Sequence, residues 1–455
     1  MTDYDVIIAG GGMVGASLAH ALAGGGLRVA VVEPVPLTAA AQPSYDDRAI
    51  ALAYGTRRIL EGLGVWAAIA PHAEPIRRVH VSDRGHFGFT HLDARDEDAE
   101  ALGYVVTARD LGAALLAPLA ERADLLCPAR VADFVVEADR VRVSIEPAGC
   151  DTSVGAPSAA RSDSAEAHRG QEAAPTGAAA APTGAAAPSS DAGDSVGARS
   201  AARSITARLL VAADGGRSAI RERLGIAQRH HAYGHHAVVA NVTPSLPHQG
   251  VAFERFTETG PLALLPMTQN RCGLVWTARD ADLADVLALD DCAFLAALQE
   301  RFGFRLGRFV AVGRRSHYPL ELRLAETQVL DRVAVIGNAA HTVHPIAGQG
   351  FNLGIRDVAM LADVLVEAHR AGRDLGALAV LEGYEAARRR DQRTVALATD
   401  ALARLFTNPL GPLRVARNLG MTVLDVLPPA KHLLARVGMG LAGAQPRLAR
   451  GLRHA

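Results

Sequence analysis

Gly10-Gly11-Gly12-Met13-Val14-Gly15 has the spacing of a loop that holds phosphate. It follows a buried-strand run, Tyr4-Asp-Val-Ile-Ile-Ala9, and leads into a helix-like run from Ala16 to Ala23. In that setting Gly10 permits the tight turn and Gly12 lets a pyrophosphate approach the backbone. Gly15 allows the helix to pack closely on the strand. Unpaired N–H groups at the helix N-terminus, and the positive end of its dipole, would face the phosphates. Arg28-Val-Ala-Val-Val-Glu33 adds a second strand ending in an acid, eighteen residues after Gly15, placed to accept hydrogen bonds from ribose hydroxyls. These residues specify a dinucleotide and leave FAD and NAD equally open.

Two histidine pairs, His230-His231 and His235-His236, raise the question of a metal. No carboxylate or cysteine adjoins them and the segment reads as the approach to a strand, so no metal site is expected. Cys127, Cys150, Cys272 and Cys292 lie far apart with no C-x-x-C pair. That argues against a disulfide framework or a zinc or iron–sulfur site and fits a reducing cytosol. Trp66 and Trp276 sit in apolar runs and read as packing residues.

The elements that must position these groups are legible in outline. The chain has 455 residues, 49% hydrophobic and 21% charged, enough for two to four structural units of ordinary globular type. Its formal net charge of −1 argues against bulk attraction to nucleic acid. The apolar stretch from Val6 to Leu27 lacks a basic flank and is broken by glycines, so it is not read as a signal peptide. No other apolar run reaches the length of a membrane span. Residues 148–204 are built from Ala, Gly, Pro and Ser with imperfect repeats, and read as a mobile insert between Arg140–Ile145 and Ile205–Ala212, an enlarged hairpin loop. Ala237–Val242, Val251–Phe256 and Arg271–Trp276 read as strands of a separate sheet, and Ile355–His369 and Leu381–Leu405 as helices. From Ala401 onward eight basic residues face the single acid Asp425, amid leucines and prolines. That mixture predicts contact with a membrane surface or a lipid-carrying partner.

Two later segments choose the nucleotide by resemblance. Leu209-Leu-Val-Ala-Ala-Asp214-Gly215-Gly-Arg217-Ser218-Ala-Ile-Arg221 resembles the Asp-Gly motif of flavoprotein aromatic hydroxylases. Val333-Ala-Val-Ile-Gly337-Asn338-Ala-Ala-His341-Thr-Val-His344-Pro345, continued by Ile-Ala-Gly348-Gln349-Gly350-Phe351-Asn352-Leu-Gly354, resembles their Gly-Asp motif, with Asn338 where the wider family has Asp. An amide there still hydrogen-bonds a ribityl hydroxyl but brings no charge. In order and spacing the chain resembles p-hydroxybenzoate-hydroxylase-type FAD monooxygenases over all but the insert. Asp46-Asp47-Arg48, His80 to His86, Phe253-Glu-Arg-Phe256 and Gly260 to Pro266 narrow the likeness to ubiquinone-biosynthesis hydroxylases, nearest the branch acting on 2-polyprenyl-6-methoxyphenol.

The resemblance implies an α/β fold: a Rossmann-like FAD-binding domain (1–75, 101–147, 205–229 and 318–395), a β-sheet substrate domain (76–100 and 230–317) and a C-terminal helical region (396–455). It implies FAD contacts from Gly10, Gly12, Gly15, Glu33, Arg48, Arg109, Asp214, Gly215, Gly337, Asn338, Pro345, Gly348, Gly350 and Asn352. The glycine turn from Gly348 would enter a helix at Asn352 and present N–H donors to the flavin N1–C2=O edge. His341 and His344 would lie near the flavin, with no catalytic residue assigned. The implied reaction hydroxylates a polyprenylated phenol with NAD(P)H and O2 through a flavin C4a-hydroperoxide. The protein's share is to orient the ring, exclude water and favour phenolate. Lacking a second glycine fingerprint, NAD(P)H would visit the flavin cleft transiently, with Arg221 and Asp214-Gly215 as meeting points. A cytoplasmic protein, peripheral on the inner membrane or held in a quinone-biosynthesis complex, is expected. Hydroxylation of another small aromatic, or a flavin-binding subunit without turnover, remain the alternatives.

Overall fold

The computed structural model describes residues 2–36, 46–148, 203–407, 411–443 and 445–453. Most of the insert therefore lies outside the described residues. Strand β1 (Tyr4–Ala9), apolar from Val6 onward, is central: parallel neighbours flank it, helices pack on the face of Val6 and Ile8, and Val141, Val143 and Ile205, from two strands antiparallel to each other, pack on the face of Ile7 and Ala9. The chain turns at Gly10, runs through α1 (Met13–Gly24) and returns as β2 (Val29–Val32), parallel to β1 with Ile7 opposite Ala30. Strand β3 (Ala49–Ala53) forms a small sheet with Gly103–Thr107 and Glu74–Ile76. Strands β4 (Arg78–Asp83) and β5 (Phe89–Asp93) leave for a larger antiparallel sheet. Strands β6 (Val141–Pro147) and β7 (Arg203–Ala212) pair antiparallel with Val143 opposite Ile205, so the hairpin expected to flank the insert is present. Strand β7 continues alongside β1, Ile7 opposite Leu210.

Strands β8 (Gln228–Pro244), β9 (Val251–Thr257) and β10 (Gly260–Met267) carry the second sheet, nine-stranded among the described residues. Strand β9 lies between β10, antiparallel, and β4, parallel. Ser316–Ala325 belongs to this sheet, paired with β8, so the boundary expected at 318 falls inside one of its strands.

Helix α2 (Gln349–Arg370) packs on α1 through Leu361 and Leu365 in the main apolar core. It begins three residues before the expected Asn352, because Gly348 takes φ +61° and caps it. Helix α3 (Leu378–Thr407) runs unbroken through the expected boundary at 396. Helices α4 (Gly411–Val426) and α5 (Pro428–Gly438) follow, with prolines opening α5 at the helix start, where no N–H is lost. Helix α4 docks on β5: Thr90 Oγ1 donates to the Met421 carbonyl at 2.7 Å, and Asn418 Oδ1 accepts from Gly88 N–H at 2.9 Å.

Candidate active site

A cleft of about 2680 Å³ runs from Gly10, Gly12 and Glu33 at one end to Leu402, Met421 and Leu424 at the other. The first end is made by backbone. Gly12 caps α1 without any side-chain hydrogen bond, and a Cβ there would meet nothing within 4 Å. Its neighbours are the reverse. A Cβ on Gly10, at φ +103°, would lie 2.5 Å from the Ala213 carbonyl oxygen, and one on Gly15 only 1.9 Å from that of Gly10. Gly10 and Gly15 thus fold the turn, and Gly12 leaves the space above it open.

Glu33 is buried; its Oε2 accepts from Gly11 N–H at 2.6 Å and its Oε1 from Val35 N–H at 2.9 Å. Each oxygen keeps a lone pair for a ribose hydroxyl. Asp214 follows β7, where Oδ2 takes a long bond from Ile220 N–H at 3.4 Å, and its buried Oδ1 has no partner among the described residues. Burial raises its pKa, partly offset by hydrogen bonds from Ser218 and neighbouring amides. Gly215, at φ +88°, also faces open space. Asn338, Pro345, Gly348 and Gly350 line the cleft, and a Cβ on Gly350 would meet nothing within 4 Å. Gly337 instead packs on Val14, 3.0 Å from the position of a Cβ. Arg48 lines the cleft with its guanidinium 4.7 Å from the Tyr318 ring centroid and Nε 2.7 Å from Asp46 Oδ1. Arg109 lines it too, paired with Asp47 at 3.1 Å.

Gly15 and Gly337, expected as FAD contacts, pack inside the chain and do not line the cleft, and three further expected roles are corrected. Asn352 spends its amide inside the chain: Oδ1 accepts from Ala53 N–H and Thr56 Oγ1, and Nδ2 donates to the Ala51 and Gly348 carbonyls. It fixes the Gly348 turn against β3 and does not line the cofactor cleft. Arg221 donates to the Ala339 carbonyl at 2.9 Å, tying the two motif loops together behind the cleft. His341 points away from the cleft, its Nε2 2.5 Å from Asp357 Oδ2. Asp357 also binds Arg388 Nε at 2.8 Å and Gln392 Nε2 at 2.8 Å. Burial alone would push the Asp357 carboxyl up, but His341 and Arg388 hold it well below the usual range. His344 does line the cleft, its ring 5.1 Å from that of Tyr233, and burial pushes its pKa down to about 4.

The histidine pairs on β8 are occupied locally: His230 lies 3.5 Å from Glu321 and His236 3.0 Å from Asp280. No group of three metal ligands occurs among the described residues.

The far end of the cleft is made by side chains. Phe256 of β9 packs on Met421 of α4 with Leu402 and Leu405 of α3. Arg417 of α4 pairs with Asp83 of β4 at 2.9 Å, both nearly buried. On β9, Glu254 faces the cleft between Ala252 and Phe256, and its carboxylate has no hydrogen bond or ion pair among the described residues. Burial pushes its pKa up to about 7. The motif Phe253-Glu-Arg-Phe256 marked this strand for resemblance, but nothing local in it distinguishes Glu254 from a surface acid. Outside the cleft, α4 and α5 expose Val415, Leu419, Val423, Val426 and Leu433. Lys431 lies 3.6 Å from Asp96, Arg404 3.0 Å from Asp400, and Arg417 is buried in its pair, so at least three of the eight basic residues are engaged by the protein itself.

The cradle fits FAD: an uncapped helix start, open space at Gly12 and Gly350, the Glu33 carboxylate and the unpartnered Asp214 Oδ1 converge on one cleft. This cradle, with a second sheet walling the cleft beyond it, defines an FAD-dependent monooxygenase. The sequence profile of the FAD binding domain family matches residues 3–144 and 159–398, and the chain belongs to that family. It is 38% identical to ubiquinone hydroxylase UbiL of Rhodospirillum rubrum over 453 residues, 98% of this chain and 93% of that one. It is 29% identical to 3-demethoxyubiquinol 3-hydroxylase of Escherichia coli K12, covering 96% and 98%. The fold is shared with p-nitrophenol 4-monooxygenase of Pseudomonas putida at a TM-score of 0.71 and 18% identity, covering 96% of this chain and 98% of that one.

Proposed function

We propose that the protein hydroxylates the aromatic ring of a polyprenylated phenol in ubiquinone biosynthesis, with NAD(P)H as electron donor and O2 as oxygen source. The observation that carries this reading is the continuity of the cleft from a flavin cradle to an apolar end floored by α3 and α4. An amphiphile with a phenol head and an isoprenoid tail matches that gradient, and the names of the relatives point to the same substrate class.

The roles of the residues follow from their placement. Gly12 and the start of α1 hold the pyrophosphate, and Glu33 accepts from ribose hydroxyls. The Asp214 carboxylate and the Asn338 amide, both lining the cleft, would hydrogen-bond hydroxyls of the linker. The start of α2 at Gly348–Gly350, with no acid in its first turn, would offer N–H donors and the positive end of the helix dipole to an electron-rich edge of the flavin. Bound FAD supplies the redox chemistry, passing electrons from NAD(P)H to O2 so that one oxygen atom enters the ring and the other leaves as water. NAD(P)H reaches this cleft as a visitor. The apolar wall around Phe256 and Met421 keeps water from the reacting ring.

A test is NAD(P)H oxidation by FAD-loaded protein with and without a prenylated phenol, with product mass measured. We expect a product one oxygen heavier; bound FAD that never turns over in the presence of the phenol contradicts the assignment and favours a non-catalytic flavin-binding subunit.

We also place the protein at a membrane surface, reached through the exposed apolar row of α4 and α5 next to the tail end of the cleft. Among the described residues no helix is long and apolar enough to cross a membrane. Flotation with anionic vesicles should be lost in Val423→Asp/Leu433→Asp, and equal flotation of that variant excludes this surface.

A further inference from the structure

Among the described residues of the cleft, Glu254 is an acid, partly exposed to the cleft itself, with no hydrogen bond or ion pair. An ionised carboxylate in an apolar wall is costly unless something pairs with it, and none of the described residues does. Its place on the strand says where it acts. Side chains alternate along β9, so Ala252, Glu254 and Phe256 share one face. Ala252 belongs to a cluster on which Ala49 of β3 packs, and β3 in turn touches the Gly348 turn through Ala51. Phe256, on the other side, packs on Met421 at the tail end. Glu254 therefore stands where the cofactor end meets the tail end, the position that a phenol head would occupy with its tail running toward α4.

We propose that Glu254 is the acceptor for the phenol hydroxyl: its carboxylate binds the O–H, fixes the ring, and takes the proton as the ring carbon begins to bond to oxygen. This deepens the reading above and rests on it. In that step the phenol O–H bond breaks, a carboxyl O–H bond forms, and the electron pair left on oxygen is delocalised into the ring, which raises the nucleophilicity of the carbons ortho and para to it. As the ring regains aromaticity, the hydrogen on the hydroxylated carbon leaves as a proton to solvent and the carboxyl returns its own proton to the original phenol oxygen, so no further reactant is needed. A base of this kind works best when its pKa lies near the operating pH, which burial has arranged here. The neighbouring strands present Val81 and Ala263 directly opposite Glu254. The charged groups brought to the same face are Arg417 of α4 and Asp83 of β4, and these bind each other.

The sign of the pH dependence follows. Only the ionised form accepts the proton, so kcat/KM for the phenol should rise with pH through about 7 and then level. Glu254→Gln keeps the shape and removes the base. It should retain FAD and solubility, lose roughly 10²–10⁴-fold in kcat, and lose the acidic limb of the profile. Glu254→Asp should recover part of the rate together with the limb. A merely structural carboxylate would instead show as a lower melting temperature. An unpaired one should melt no lower after Glu254→Gln, with any gain greatest above pH 7, because a carboxyl whose pKa is raised on folding weakens the fold as pH rises through that value. Equal rates in Glu254→Gln and the parent, or an unchanged acidic limb in a slowed Glu254→Gln, would overturn the proposal. Absence of any hydroxylated product from the parent protein, with a short-tailed prenylphenol as the probe, would instead overturn the reading on which it rests.

Discussion

The two ends of the cleft are built by opposite means. At the cofactor end the working surface is backbone: glycines either exclude a side chain to let the chain turn, as Gly10 and Gly15 do, or leave room for a ligand, as Gly12 and Gly350 do. At the substrate end the surface is side chains from β4, β9, α3 and α4, and its polarity rests on Glu254 and the Asp83–Arg417 pair. A backbone site serves a constant ligand, since dinucleotides differ little along the phosphates. A side-chain site can change with one residue, and the substrate end is where members of one fold would diverge.

That comparison can be broken first within the glycine loop. Gly15→Val should fail to give soluble protein, since its Cβ would sit 1.9 Å from a carbonyl oxygen. Gly12→Val should fold with a normal circular dichroism spectrum yet lose its yellow flavin, because the branched side chain fills only the ligand's space. Full flavin occupancy in soluble Gly12→Val would remove the phosphate role assigned to this turn.

A smaller effect is expected behind the cleft, where Asp357 joins His341, Arg388 and Gln392. Asp357→Asn removes the carboxylate bound to Arg388 Nε and His341, leaving Asp391 as the remaining acid on Arg388, and should cost about 1.5–3 kcal/mol in denaturant unfolding at neutral pH. Because folding lowers this carboxyl's pKa, its contribution is present above the ordinary carboxylate range and fades as pH falls below it. The gap between parent and variant should therefore close only in acid. A gap that is constant down to low pH would mean that the ion pair is not what stabilises α2 against α3.

What the sequence made legible follows the same division. The fingerprint from Gly10 to Gly15 with Glu33 is local, so its spacing alone carried the strand, turn, helix and ligand. Asn352 was misjudged because the partners that consume its amide, Ala53 and Thr56, lie 299 and 296 residues away. His341 sits in a motif next to the flavin loop, yet its ring turns toward Asp357 on α2, a direction set by tertiary packing. Glu254 was invisible for the complementary reason. It becomes unusual only when β4, α3 and α4 close around the hairpin of β9 and β10, and these three lie far from it in the sequence. The excess of basic residues near the C-terminus was real as a count, but Arg404 pairs with Asp400 one helical turn before it, and Arg417 and Lys431 are engaged by acids that fold against them.

The most direct test of the central claim, that one cleft joins a flavin cradle to a site for an amphiphilic phenol, is the fate of oxygen. FAD-loaded protein supplied with NAD(P)H, a short-tailed prenylphenol and isotopically heavy O2 should yield a ring-hydroxylated phenol carrying one heavy oxygen atom, coupled to NAD(P)H consumption. NAD(P)H oxidation that releases only hydrogen peroxide, leaving the phenol unlabelled, would contradict it.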